Sequence, residues 1–310
     1  MQTLTHSDPS HKDWFIVNWC LGNTCNFNCS YCPDILHDGS TKWPDISYVE
    51  RFVNKIKTSF PNKKLYFEFT GGEITLYKHF DQLCKLCSDN NIKVGLISNG
   101  SRSLRWWEAN KKYFSSINLS FHHEYANKDH FIDVVKILHN DLRTHVNIMM
   151  DPKNFDYCYD VADTIKDLGN LTISLQPLLY DLSGDLYPYT DEQHQLIKDQ
   201  QKNIKDKVIK TKRFPYLRGK MTYKDVDYGA NELVNSKMNN WNGWNCHIGI
   251  EQLIVFLDGK ISRGWCGVGG NIGNIFDDKL ELPNEPILCN KDWCHCNFDI
   301  TCTKEKINTL

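Results

Sequence analysis

Phe15-Ile16-Val17-Asn18-Trp19-Cys20 runs through Leu21-Gly22-Asn23-Thr24 into Cys25-Asn26-Phe27-Asn28-Cys29-Ser30-Tyr31-Cys32. The first six residues read as a strand, and the thiols follow it directly. Five more apolar-rich runs recur, at 65–70, 94–99, 117–122, 145–150 and 171–176, with amphipathic stretches such as 46–60 and 131–140 between them. Strand alternating with helix predicts parallel β/α units.

The phase of these runs narrows the fold. One parity is polar: Glu68 and Thr70, then Asn118, Ser120 and His122, then His145 and Asn147, then Thr172, Ser174 and Gln176. The opposite parity, with Leu65, Phe67, Phe69, Ile117, Leu119, Phe121, Ile148, Leu171, Ile173 and Leu175, suits a face covered by helices. Side chains alternate along a strand, so one face of the sheet is expected to be wet or liganded. Parallel strands buried on both faces would read as continuous apolar runs, and a closed eight-stranded barrel fills its interior with branched apolar residues. The expected fold is therefore α/β, a partial (β/α)6 TIM-like barrel with a polar cavity, followed by a small cysteine-rich α+β module.

The expected divisions are a barrel over 1–185, a helical linker over 186–235 and the cysteine-rich module over 236–310. In the linker, Thr190 followed by Gln193 signals a capping box, and 195–210 reads as a charged surface helix with Ile197, Ile204 and Val208 on its buried side. In the module, 252–257, Asp258-Gly259 and 260–263 read as a β-hairpin.

The chain has 310 residues and a net charge of −2, so no basic field is available to hold nucleic acid or an anionic membrane. No apolar run approaches the roughly 18 residues of a membrane span, and the first residues lack a signal-peptide pattern. A cytoplasmic protein with a small-molecule or peptide partner is expected. Thirteen cysteines are many for that compartment, where clustered thiols bind metal or do redox chemistry more often than they form disulfides. They gather at two ends of the chain, around 20–32 and 246–302.

At the first end, Cys25, Cys29 and Cys32 form a C-x3-C-x2-C pattern. Three thiolates on one loop can ligate three irons of a cubane and leave the fourth iron without a protein ligand. An electron-transfer cluster or a structural zinc site would ordinarily be closed by a fourth ligand, and Cys20, the nearby spare, sits on the strand.

This segment, with the aromatic Tyr31 before the last cysteine, resembles the defining motif of the radical S-adenosylmethionine (SAM) superfamily, and the resemblance extends over about residues 14–180. It implies a [4Fe-4S] cluster on Cys25, Cys29 and Cys32, with SAM bound at the open iron. Thr70-Gly71-Gly72-Glu73, about 40 residues after the cysteines, matches the family segment that receives the SAM amino group, so Gly71, Gly72 and Glu73 are expected contacts. Ser98-Asn99-Gly100 resembles the element near the SAM ribose and carboxylate. Tyr31 would meet the adenine, and Ser120 and Asn147 match polar positions around the cofactor less closely. The implied chemistry is one-electron reductive cleavage of SAM to a 5′-deoxyadenosyl radical that abstracts hydrogen. It needs an external one-electron reductant such as flavodoxin or ferredoxin. His122, in His122-His123-Glu124 at the end of the fourth run, is the expected substrate contact or acid/base.

At the second end stand Cys246, Cys266, Cys289, Cys294, Cys296 and Cys302. The frame Cys246-x12-Gly259-x6-Cys266, followed by Gly273-Asn274-Ile275, resembles the twitch module, a relative of SPASM, which implies one auxiliary [4Fe-4S] cluster. The spacing departs from the family in two places: six residues rather than four precede Cys266, and Cys294-x-Cys296 replaces Cys-x2-Cys. Cys246 and Cys266 are the expected early pair, joined by two of Cys289, Cys294 and Cys296. Cys302 reads as a strand residue, and a zinc site is the alternative for the module. Trp241, Trp244, Trp265 and Trp293 are expected to shield the cluster.

The function expected is hydrogen abstraction from a small molecule such as a sugar or nucleoside derivative, by dehydrogenation, epimerisation or a related step. A peptide-modifying maturase is the alternative. The short stretch before the cysteine motif leaves no room for an N-terminal peptide-recognition domain, which tilts the expectation to the first. The reading of another class is a non-catalytic iron-sulfur or zinc protein.

Overall fold

The computed structural model of the chain describes residues 2–180, 184–204 and 219–306. Strands β1 (Gln2–His6) and β2 (Trp14–Gly22) precede the cysteine loop. Helices and strands then alternate: α1 (Ile46–Ser59), β3 (Lys64–Gly71), α2 (Phe80–Asp89), β4 (Lys93–Ser98), α3 (Leu104–Asn110), β5 (Ser116–Phe121), α4 (Lys128–Leu138), β6 (Arg143–Met150), α5 (Phe155–Lys166) and β7 (Leu171–Pro177). Helix α6 (Asp191–Ile204), β8 (Met221–Tyr223), β9 (Val226–Tyr228) and α7 (Ala230–Asn235) come next. The chain continues through β10 (Asn245–Cys246), β11 (Gln252–Val255), β12 (Lys260–Ser262), β13 (Asn271–Asn274), β14 (Ile287–Leu288), α8 (Asn297–Ile300) and β15 (Lys304–Lys306).

All six expected barrel strands form, and β2 to β7 pair in parallel and in sequence order. The helices between them owe their seats to 3.6-residue periodicity. In α1, Asp45 caps the start by accepting from Ser47 N, and Val49, Phe52, Val53 and Ile56 bury one stripe. In α4, Asn127 caps His130 N, and Phe131, Val134, Val135 and Leu138 do the same. These stripes join Phe15, Val17, Trp19, Phe67, Phe69, Leu119, Phe121, Val146 and Leu175 in one core. The alternate parity is uncovered by that core, and Asn118, Ser120, His145, Asn147, Thr172 and Ser174 are only half-buried. Toward the amino ends of the strands the same face is apolar, where Trp14, Ile16 and Tyr66 form a small separate cluster. Asn118, His145 and Thr172 form one register row across β5, β6 and β7, and Ser120, Asn147 and Ser174 form the next row toward the carboxyl ends.

The sheet is open and has nine strands in the order β13-β12-β11-β2-β3-β4-β5-β6-β7. The expected hairpin forms as β11 and β12, yet β11 also pairs in parallel with β2, Gln252 opposite Ile16 and Val255 opposite Trp19. Strands from the cysteine-rich end therefore extend the main sheet. A second sheet, in the order β14-β10-β15-β1-β8-β9, unites the chain's two ends, with Gln2 opposite Lys306 and Leu4 opposite Lys304. Both sheets thus draw strands from either side of residues 185 and 236.

The expected capping box is formed: Gln193 N donates to Thr190 Oγ1 (3.2 Å), and Thr190 N donates to Gln193 Oε1 (3.0 Å). Ile197 is buried as expected, while the Ile204 side chain and the stretch 205–210 with Val208 lie outside the described residues. Among the described residues, no helix is long and apolar enough to cross a membrane.

Candidate functional site

The cysteine loop is held from both sides before any cofactor is considered. At its start, Asn23 is fully buried; its amide donates to Ile35 O (2.9 Å), Asp38 Oδ1 (2.7 Å) and Ser40 Oγ (3.1 Å), and its carbonyl accepts from Thr41 N (2.9 Å). At its middle, Ser30 N donates to Glu124 Oε2 (2.7 Å) and Tyr125 Oη donates to Asn28 O (2.9 Å). Phe27 stacks on Tyr125 at 5.5 Å between ring centroids. The segment after β5 therefore clamps the loop, a job for which Glu124 and Tyr125 carried no sequence signal beyond adjacency to His122.

Cys25, Cys29 and Cys32 are free thiols close enough to act on one another electrostatically. Phe27 N (3.4 Å) and Asn99 Nδ2 (3.8 Å) both point donors at Cys25 Sγ. Cys20 stays on β2, opposite Thr70. Burial pushes the Cys29 thiol up to about 12 and the Cys32 thiol up to about 11, and it raises Cys25 too. Such thiols ionise only when a metal supplies the compensating charge, which is how metal binding displaces protons from cysteine. Among the described residues, no three His, Cys, Asp or Glu side chains converge tightly enough for a single ion. A cubane binds its cysteines at separate irons and does not require such convergence. The donor set and the N–H groups aimed at sulfur fit an iron-sulfur cluster.

The Gly71-Gly72-Glu73 segment lies against the root of this loop. Gly72 N donates to Gly22 O and Glu73 N to Thr24 O, each at 2.8 Å. A Cβ on Gly71 (φ +140°) would lie 2.0 Å from Gly22 O, and one on Gly72 2.3 Å from Thr24 O. Both glycines are thus demanded by the backbone of the cysteine loop's own root. The Glu73 carboxylate is fully buried and hydrogen-bonded by its neighbours. It accepts from Thr75 Oγ1 (2.6 Å), Thr75 N (3.2 Å), Asn99 N (2.7 Å) and Ser98 Oγ (3.0 and 3.1 Å to its two oxygens). Burial raises its pKa, and these donors oppose the rise. Glu73 is a strut between the ends of β3 and β4.

That strut places Asn99. Its amide donates to Asn26 Oδ1 (3.0 Å) as well as toward Cys25, so Glu73, Ser98, Asn99 and Cys25 form one connected network. Farther along, Asn147 donates to Asn118 Oδ1 (2.9 Å) and shares 3.0 Å with His145 Nε2, whose Nδ1 meets Thr172 Oγ1 at 2.6 Å. Ser120 pairs in register with Asn147. Tyr31 joins a different group: its hydroxyl meets His122 Nδ1 at 3.0 Å, and its ring stacks on those of His122 and His123 at 6.0 Å each.

Burial drops the His122 pKa to about 4, so its imidazole is neutral near pH 7 and is tied to Tyr31. His123 shares 3.2 Å with Asp151 Oδ2 while its buried Nδ1 has no partner among the described residues. A base with a depressed pKa in the fold contributes stability that is complete above its unfolded value of 6.5 and drains as pH falls toward about 4. The loss amounts to about 2–3 kcal/mol. Urea midpoints compared at about pH 7 and about pH 5 should therefore fall less for His122→Gln than for wild type; equal falls would contradict the assignment.

At the other end, Cys246, Cys289, Cys294 and Cys302 are buried in a second core with Trp241 and Trp244, and Cys266 packs at its edge. Trp241 and Trp244 meet edge to face at 5.0 Å, whereas Trp265 and Trp293 are largely exposed. The buried Asp299 organises this end by accepting from Cys266 N (2.6 Å), Trp265 N (3.1 Å) and Gln252 Nε2 (2.7 Å). Cys302 lies in the turn between α8 and β15, not in a strand.

Residues 19–169 match the family model described as Radical SAM superfamily. That stretch of the chain carries a radical SAM domain. A 7-carboxy-7-deazaguanine synthase of Methanocaldococcus jannaschii is 25% identical over 182 residues, which cover 50% of this chain and 72% of that protein. Among solved structures, native anSMEcpe with bound AdoMet aligns with a TM-score of 0.53 at 17% identity, over 84% of this chain and 78% of that one. Streptococcus suis SuiB bound to precursor peptide SuiA aligns at 0.54 and 14% identity, over 87% of this chain and 65% of that one. Likeness at such identities is likeness of fold. A radical SAM domain implies a [4Fe-4S] cluster and SAM.

Proposed function

We propose that the chain is a radical SAM oxidoreductase that abstracts hydrogen from a small molecule, a sugar or nucleoside derivative, for dehydrogenation, epimerisation or a related step. The observation that carries this reading is the clamped loop of three neighbouring thiols at the carboxyl edge of a sheet whose uncovered face is polar. Cys25, Cys29 and Cys32 would hold the cluster. When bound, the reduced cluster and SAM supply a 5′-deoxyadenosyl radical able to take hydrogen from an unactivated carbon. Gly71 and Gly72 through their backbone, together with Tyr31, Ser98, Asn99, Ser120 and Asn147, would frame SAM, and Glu73 would hold Asn99 in place. The ladder of Asn118, Asn147, His145 and Thr172 would orient a polar substrate, and His123 with Asp151 would move its proton. An external one-electron donor of the flavodoxin or ferredoxin type would supply the electron.

Anaerobically reconstituted protein given dithionite and SAM should release 5′-deoxyadenosine, and no release would refute the proposal. A peptide substrate is the second reading, favoured by the alignment over 87% of this chain with a structure that holds a precursor peptide. The nature of the molecule that acquires or loses hydrogen in deuterium-transfer experiments separates the two.

For the cysteine-rich end, the reading is one auxiliary [4Fe-4S] cluster on Cys246, Cys266, Cys289 and Cys294. Cys294 is electrostatically coupled to Cys246 and Cys289, and Cys266 is coupled to Cys294. Iron should be about eight per chain, falling to about four in Cys246→Ala. Zinc in place of iron would reject this cluster.

A further inference from the structure

Lys304 is the least expected residue of the cysteine-rich end. Its side chain is 1% exposed, and its Nζ donates to three carbonyls, Asp299 O (2.7 Å), Cys302 O (2.9 Å) and Ile300 O (3.2 Å). It also lies 5.7 Å from the centre of the Trp241 ring. All of these partners are neutral, and among the described residues no carboxylate lies within salt-bridge distance of it. Burying an ammonium without a paired anion is costly by several kcal/mol in order of magnitude, so buried charges are normally matched. On the strand, the residue opposite Lys304 is Cys246, and side chains opposite each other on antiparallel strands share one face. Cys294 and Cys302 are also near enough to act on it, as is the Glu251 carboxylate, which is engaged by Thr303 N (3.0 Å) and His6 (3.2 Å).

We infer that Lys304 is the counter-charge of an anionic, thiolate-ligated iron-sulfur cluster at this end and favours the cluster's reduced state. The inference rests on the auxiliary-cluster reading above. Four thiolates give the cluster net negative charge, one-electron reduction adds another, and net charge and surroundings are among the levers that set such potentials. A fixed positive charge therefore favours the reduced form over the oxidised one, and removing it should make reduction harder. Lys304 is in this sense a positioning charge, with no role at the reacting atoms.

The test uses the full chain with Cys29→Ala, so that the auxiliary cluster is the iron signal that remains, and compares Lys304, Lys304→Met and Lys304→Arg by potentiometric titration followed by electron paramagnetic resonance (EPR). Lys304→Met should weaken reduction at least tenfold, about 59 mV for one electron, and Lys304→Arg should keep most of the parent value. Loss of iron from the Met variant with retention in the Arg variant supports the inference as well. An unchanged potential in an iron-replete Met variant overturns it, and so does iron loss from both variants. A Cys29→Ala parent without iron overturns the auxiliary cluster and the inference with it, and the iron count identifies that outcome separately.

Discussion

Cys29→Ala should reduce 5′-deoxyadenosine release to the level of a protein-free control and remove about four irons per chain, while the iron of the cysteine-rich end stays in place. The loop offers three thiols and no nearby substitute, since Cys20 remains on β2 opposite Thr70. Cys29 is the most buried of the three, and its thiol interacts with both of the others. The fold itself should persist, because Asn23, Glu124 and Tyr125 hold the loop without help from the thiols. Circular dichroism unchanged beside a lost cluster is the expected pair of results. Retained activity would mean that the loop is not the ligand set.

Glu73→Ala should act on stability first. It would leave the Thr75 hydroxyl and N–H, the Ser98 hydroxyl and the Asn99 N–H without their acceptor inside a site closed to solvent. Unpaired buried donors cost about 1–3 kcal/mol each, and partial relaxation brings the expected total to about 3–5 kcal/mol. Urea unfolding of the cluster-free protein checks this directly, because a loss under about 1 kcal/mol would show that the network is not structural. Reconstituted iron should also drop, since Asn99 would no longer be held where it faces Cys25. Glu73→Gln should be milder, as it keeps one acceptor oxygen.

The six central strands were legible because period-two alternation is a local property of each run, and Phe67, Phe69, Leu119 and Phe121 are indeed in the core. The pairing of β11 with β2 was not legible. Gln252 meets Ile16 through backbone hydrogen bonds between residues more than two hundred positions apart, and nothing in either run names its partner. Strand β1 escaped for a similar reason, being a short segment that finds Lys304 and its neighbours only at the far end of the chain. The site divides along the same line. The cysteines announce themselves by spacing, whereas Glu73 looks like a free ligand until Ser98 and Asn99 close over it. His122 likewise faces the site by parity, and only its burial against Tyr31 shows that it is neutral and occupied. Asp299 and Lys304, which organise the cysteine-rich end, carry no local pattern at all.

The most direct measurement is the EPR spectrum of the dithionite-reduced protein recorded with and without SAM, using a Cys246→Ala variant to isolate the first cluster. A shifted spectrum is expected on adding SAM, because the sulfonium ligand should chelate an iron that the polypeptide does not cap. An identical spectrum at saturating SAM would contradict the account.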